Sequence, residues 1–155
     1  MQPYLIRDIG AIYRLSLAGW ARRLPAGAGL AGHQIPYLWS VCQTPGLSQE
    51  ALARSLYVDK SNVARNIGAL ERLGYVERRR DGNDRRGWRI WPTERAFDLL
   101  PHLVAAVRDW EDVLLNGMSS EERELAGELI ADMRQNVDAV AGETEGPVDP
   151  ELPGM

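Results

Sequence analysis

Residues 60–66 read Lys-Ser-Asn-Val-Ala-Arg-Asn, and they bring five side chains able to hydrogen-bond into two helical turns. With helical spacing, Val63, Ile67, Leu70 and Leu73 line one face, while Ser61, Asn62, Arg65, Asn66 and Ala69 occupy the other. Asparagine matches the major-groove edge of adenine, and arginine matches that of guanine. Lys60, Ser61, Asn62, Arg65 and Asn66 therefore form a candidate set for reading double-stranded DNA. After Asp59 the only acid of the segment is Glu71, whereas a solvated helix usually mixes its signs more evenly. The competing reading is an ordinary exposed helix face.

A second cluster follows. Residues 78–93, RRRDGNDRRGWRIWPT, contain six arginines in sixteen positions. A narrow tip carrying Arg85 and Arg86 could enter a minor groove only about 6 Å wide, where negative potential is concentrated. Asp84 could hold a neighbouring arginine by an ion pair and so orient the tip. Arg78, with Arg79 and Arg80, would meet phosphates on the way. Gly82, Asn83 and Gly87 suit the tight turn. The competing reading is a charged edge hairpin that resists aggregation.

The overall charge hides this basic region. The 155-residue chain has a formal net charge of -4. Residues 54–95 carry eleven Lys/Arg against six acids, whereas residues 96–155 carry three Arg against fourteen acids. Screening limits a field to about 8–10 Å, so the local sign decides what can approach. A basic middle and an acidic rear fit one face presented to a polyanion.

Other chemistries lack residues. No nucleophile–base pair, phosphate-cradling loop or paired carboxylates stand out, so neither an enzyme nor a cofactor is expected. Ser48 and Ser119 are better placed as helix caps. His33 and His102 lie far apart in the sequence, without metal-ligand spacing. The single cysteine, Cys42, leaves no internal disulfide and lies on an apolar helix side as a buried, inert thiol. No run approaches the roughly 18 apolar residues of a membrane span. The N-terminus lacks the basic-then-apolar order of a signal peptide. The expectation is a cytoplasmic protein with no membrane partner.

These clusters need elements to position them. A helix is expected over residues 4–24, with Ile6, Ile9, Tyr13, Leu17, Trp20 and Leu24 as its stripe. PAGAGLAG breaks it, and a second helix begins near Ile35. Ser48 caps a short third helix and Asp59 caps a fourth, which ends at Gly74. YVERRR and WRIW then switch to strand period around the Asp-Gly-Asn turn. Thr93 caps a long helix with Phe97, Leu100, Val104, Val107, Trp110 and Leu114 as its stripe, and Pro101 should bend it. Ser119 and Glu122 form a capping box for a last helix, with Leu125, Leu129, Ile130, Met133 and Val137 apolar. The fold class is mainly α with a small β-hairpin wing: a winged helix-turn-helix flanked by further helices. The acidic, Gly/Pro-rich residues 142–155 read as a disordered tail.

The stretch VDKSNVARNIGALERLGYVERRRDGNDRRGWRIWPTERA resembles the MarR family of bacterial transcription regulators. The family's wing pattern, Asp-x-Arg, a small residue, four variable residues and Leu-Thr, falls on Asp84, Arg86, Gly87 and Thr93. Pro92 stands at the Leu position, a departure expected to alter strand packing. Asp59 to Arg65 resembles the family's Asp-Lys-Ser-x-Val-x-Arg run. The resemblance implies a homodimeric repressor that binds a pseudopalindromic operator. It divides the chain into an N-terminal dimerisation helix and loop (1–34), a DNA-binding region (35–93) and C-terminal dimerisation helices (94–141). It also implies release by a small aromatic or phenolic effector. Trp20, Trp39 and Trp110 lie on helices that could border such a pocket, although tryptophans there more often serve the core or the dimer. Two alternatives stay open: a winged-helix protein-interaction module and a ligand-independent DNA-binding repressor.

Overall fold

The computed structural model describes residues 4–82 and 87–141. Six helices and three short strands follow one another as α1 (Leu5–Arg23), α2 (Ile35–Gln43), β1 (Leu47–Ser48), α3 (Gln49–Leu56), α4 (Lys60–Arg72), β2 (Val76–Arg80), β3 (Trp88–Pro92), α5 (Glu94–Leu114) and α6 (Ser120–Ala141). A 3-10 turn, Gly32–Gln34, precedes α2. The mainly helical winged helix-turn-helix expected from the sequence is the observed architecture.

Local chemistry sets the boundaries. Ser48 Oγ accepts from the Ala51 amide at 3.1 Å and starts α3. Tyr57 ends that helix in the left-handed region, φ 56° and ψ 42°. Gly74, at φ +77°, turns the chain out of α4 at a dihedral that L side chains rarely adopt. The Ser119–Glu122 box is formed in both directions, at 3.2 and 2.8 Å, ahead of α6. Thr93 stands at the N-cap of α5, but its side chain does not cap the helix. Its hydroxyl instead lies 2.6 Å from the Gly74 carbonyl and ties α5 to the end of α4.

The sheet is antiparallel in the order β1-β3-β2. Val76 faces Pro92 and Arg80 faces Trp88 across the hairpin, and Leu47 faces Ile90 on the other side of β3. Sequence periodicity missed β1, because two residues cannot show an alternation. Pro92 occupies the last ladder position of β3 and is buried there.

The core lies between α2, α3, α4 and the sheet. Leu38, Val41, Leu52, Val63, Ile67, Leu70 and Ile90 are all fully buried. Helix α5 docks onto this core and onto α1 through a face other than the expected stripe. Ala96, Leu99, Leu103 and Ala106 are buried, whereas Phe97, Val104 and Leu114 are exposed. Leu100, Val107 and Trp110 are half-buried between them. The seam is turned by one residue, about 100°. The two alanines let the helix axis approach closely, a benefit that a hydrophobicity pattern does not weigh. Helix α1 shows the same deviation, since its buried residues are Ser16 and Gly19. No residue of α6 is buried, and Leu125, Leu129, Ile130 and Val137 are all exposed.

Candidate nucleic-acid interface

Helix α4 begins at Asp59, whose Oδ1 accepts from the Asn62 amide at 2.6 Å and from the Ser61 hydroxyl at 2.5 Å. The Ser61 hydroxyl, and then the Asn62 amide, hold the Asp59 carboxyl below its ordinary range. The cap fixes the first turn, where Lys60, Ser61 and Arg65 are exposed and Asn62 is half-buried. Lys60 Nζ lies 3.7 Å from Glu50 Oε1 on α3, a loose and solvated pair. Val63, Ile67 and Leu70 anchor the opposite face at zero exposure. The polar side is thus held outward by a fully packed apolar side.

Asn66 does not belong to that outward side. It is only 6% exposed, and its Nδ2 donates to the Asn62 carbonyl at 3.0 Å. It also neighbours the Tyr37 phenol of α2. Burial and the Tyr13 phenol push the Tyr37 group upward, and the Asn66 amide pulls it back. Helical projection puts Asn66 on the polar side, but α2 covers that flank. Asn66 is therefore a nearly buried polar residue bonded within α4, off the exposed face.

Arg78 also differs from the expectation of a free cation. Its side chain is 29% exposed and its Nε sits 3.6 Å from Glu71 Oε2 on α4. That nitrogen is itself buried and makes no hydrogen bond. Its charge is partly spent on joining the wing to the helix beside it. Arg79 pairs with Glu77, with Nε at 2.8 Å, and stacks 5.1 Å from the Trp91 ring. Arg80 lies 4.2 Å over Trp88, which remains 43% exposed.

Sequence reading missed Asp81 and Arg89. Arg89 Nε donates to Asp81 Oδ2 at 2.7 Å, and its Nη1 reaches the Gly46 carbonyl at 3.4 Å. The Asp81 amide donates to the Gly87 carbonyl at 3.0 Å and closes the base of the tip. Arg89 thereby braces the wing against the loop before β1. Two opposite charges flanking a predicted turn, at 81 and 89, are the signal that could have found the pair. Asp84, Arg85 and Arg86 lie outside the described residues.

Each of the three tryptophans packs within the fold. Trp110 Nε1 donates to Ser16 Oγ at 2.7 Å, and its ring covers Gly19. Arg23 sits 4.9 Å over the same ring. This joins α1 to α5 inside one chain. Trp20 and Trp39 pack against the core, with Trp20 Nε1 buried and unbonded. One cavity, of about 210 Å³, opens between Pro25, Ala28, Tyr75 and Leu99. Another, of about 410 Å³, opens at the α5–α6 junction around Met118, Leu125 and Leu129. No tryptophan lines either of these two cavities. Cys42 is buried, and burial pushes its thiol up to about 11.

Comparison with known proteins gives a consistent picture. The MarR family description matches residues 28–87. An uncharacterized HTH-type transcriptional regulator of Bacillus subtilis (strain 168), YybA, is 30% identical over 134 residues, spanning 86% of this chain and 89% of that one. A MarR transcriptional regulator from Methanosarcina mazei Go1 superposes with a TM-score of 0.83 at 27% identity, covering 90% of this chain and 99% of its own. The transcriptional regulator SlyA superposes at 0.79 with 31% identity, over 86% and 94% of the two chains.

Proposed function

The chain belongs to the MarR family of transcriptional regulators, and on that premise we propose that it is a homodimeric, sequence-specific DNA-binding repressor. The observation that carries the proposal is the first turn of α4. Lys60, Ser61 and Arg65 stand exposed there on a helix whose other face is locked into the core. The second helix of a helix-turn-helix enters the major groove with this turn on base edges. Lys60, Ser61, Asn62 and Arg65 are the proposed groove residues. Arg85 and Arg86, oriented by Asp84, are the proposed tip of the wing. Arg78 is assigned to phosphate contact at the wing's root, sharing its charge with Glu71.

Dimerisation is supported by exposed apolar area. Leu5, Ile6, Ile12 and Tyr13 of α1 and Leu125, Leu129, Ile130 and Val137 of α6 are all exposed in a single chain. A surface of this extent normally meets another protein. A second copy would bury it isologously and place two α4 helices on one duplex. Residues 1–34 and 94–141 would then form the dimer, and residues 35–93 the DNA-binding unit. Trp20, Trp39 and Trp110 line neither of the two cavities described above, and the proposal rests on DNA binding by the dimer.

The test is a selection of genomic fragments by the purified protein at physiological salt. Recovery of a short inverted repeat is the expected result. Recovery of no common sequence would remove the proposal and favour a winged-helix protein-interaction module.

A further inference from the structure

We propose that Ser61 reads the exocyclic amine of an adenine or cytosine, acting there only as a hydrogen-bond acceptor because its single O–H is donated to Asp59. The inference rests on the DNA-binding reading above and adds a rule for one position of the site.

A serine hydroxyl has one proton and two lone pairs, whereas an ionised carboxylate only accepts. In the Asp59–Ser61 bond, at 2.5 Å, the proton therefore belongs to Ser61. Asp59 cannot easily turn away, because the same oxygen caps the Asn62 amide at 2.6 Å. Releasing it would leave an orphan donor at the helix start. Ser61 is thus held with lone pairs facing outward, one turn before Arg65 on an exposed face.

That polarity decides between two partners. A phosphate oxygen is an acceptor, so it would meet a Ser61 lone pair with nothing between them, beside the Asp59 negative charge. In the major groove, the donors are the N6 amine of adenine and the N4 amine of cytosine. Guanine and thymine present only acceptors there. A serine free to rotate serves either kind of group, and Asp59 removes that freedom.

The experiment compares selections from random-sequence duplexes by the wild-type protein, Ser61→Ala and Ser61→Thr. The wild type should prefer adenine or cytosine at one position of each half-site. Ser61→Ala should lose about three- to tenfold of discrimination there and keep the other positions, the size expected of one hydrogen bond. Ser61→Thr, which retains the hydroxyl, should restore it. A base analogue lacking the exocyclic amine should weaken the wild type by the same factor and leave Ser61→Ala unaffected. Equal weakening of Ser61→Ala on every sequence would reassign Ser61 to phosphate and overturn the inference. An unchanged site would overturn it as well. If the wild type itself recovers no site, the DNA-binding reading falls and this inference falls with it.

Discussion

Asp59 shows how one side chain both caps α4 and orders its first turn. Its carboxyl is held low by the Ser61 hydroxyl and the Asn62 amide. A lowered folded-state value contributes stability above the ordinary 3.8, and that contribution is lost as pH falls through the lower folded value. Asp59→Ala should unfold at a lower temperature than the wild type at neutral pH, and the gap should narrow on acidification below 3.8. A gap that stays constant in thermal melts across that range would contradict the assignment. Arg65 tests the groove directly. Arg65→Ala should cost about 1–3 kcal/mol of binding and relax the preference at one position if it reads guanine. An equal loss on all sequences would make it a phosphate contact. Cys42 should resist alkylation at neutral pH until the protein unfolds, since its thiol is raised to about 11. Rapid native labelling would contradict that burial. At this scale the caps at Ser48, Asp59 and Ser119 were legible, because a capping side chain acts within three residues of itself. The burial of Asn66 was not, because it depends on α2, which is distant in sequence.

Helix docking sets the next scale. The elements of the winged unit were readable because their apolar spacing and turn residues are local signals. The face that α5 buries was not. Its strongest hydrophobic stripe is Phe97, Val104 and Leu114, yet these are exposed. The chain buries the smaller Ala96 and Ala106 instead, trading side-chain area for close approach. Gly19 makes the same trade on α1. A Cβ there would stand 2.4 Å from the Trp110 ring. Gly19→Ala should therefore destabilise the fold by about 1–3 kcal/mol, measured by denaturant unfolding. Unchanged stability would mean that the α1–α5 contact is loose. The strand β1 and the Arg89–Gly46 contact escaped sequence reading for a related reason. Both join segments over forty residues apart, from the loop near Gly46 to β3.

The whole molecule separates charge along the chain. The basic residues gather in α4 and the wing, and the acidic excess lies in residues 96–155, largely on α5 and α6. In the proposed dimer the acidic helices would face away from the duplex. The apolar face of α6 was visible in the sequence as a stripe, and in the proposed dimer a second chain would bury it. Light scattering should give twice the mass of the 17.3 kDa chain, and a monomer at micromolar concentration would remove the dimer. The most direct measurement is a competition titration at physiological salt. It compares a duplex carrying the recovered inverted repeat with a scrambled duplex of equal composition. Two chains should bind the repeat at least about a thousandfold more tightly than the scrambled duplex. Equal affinity for both would contradict sequence-specific recognition by α4 and the wing.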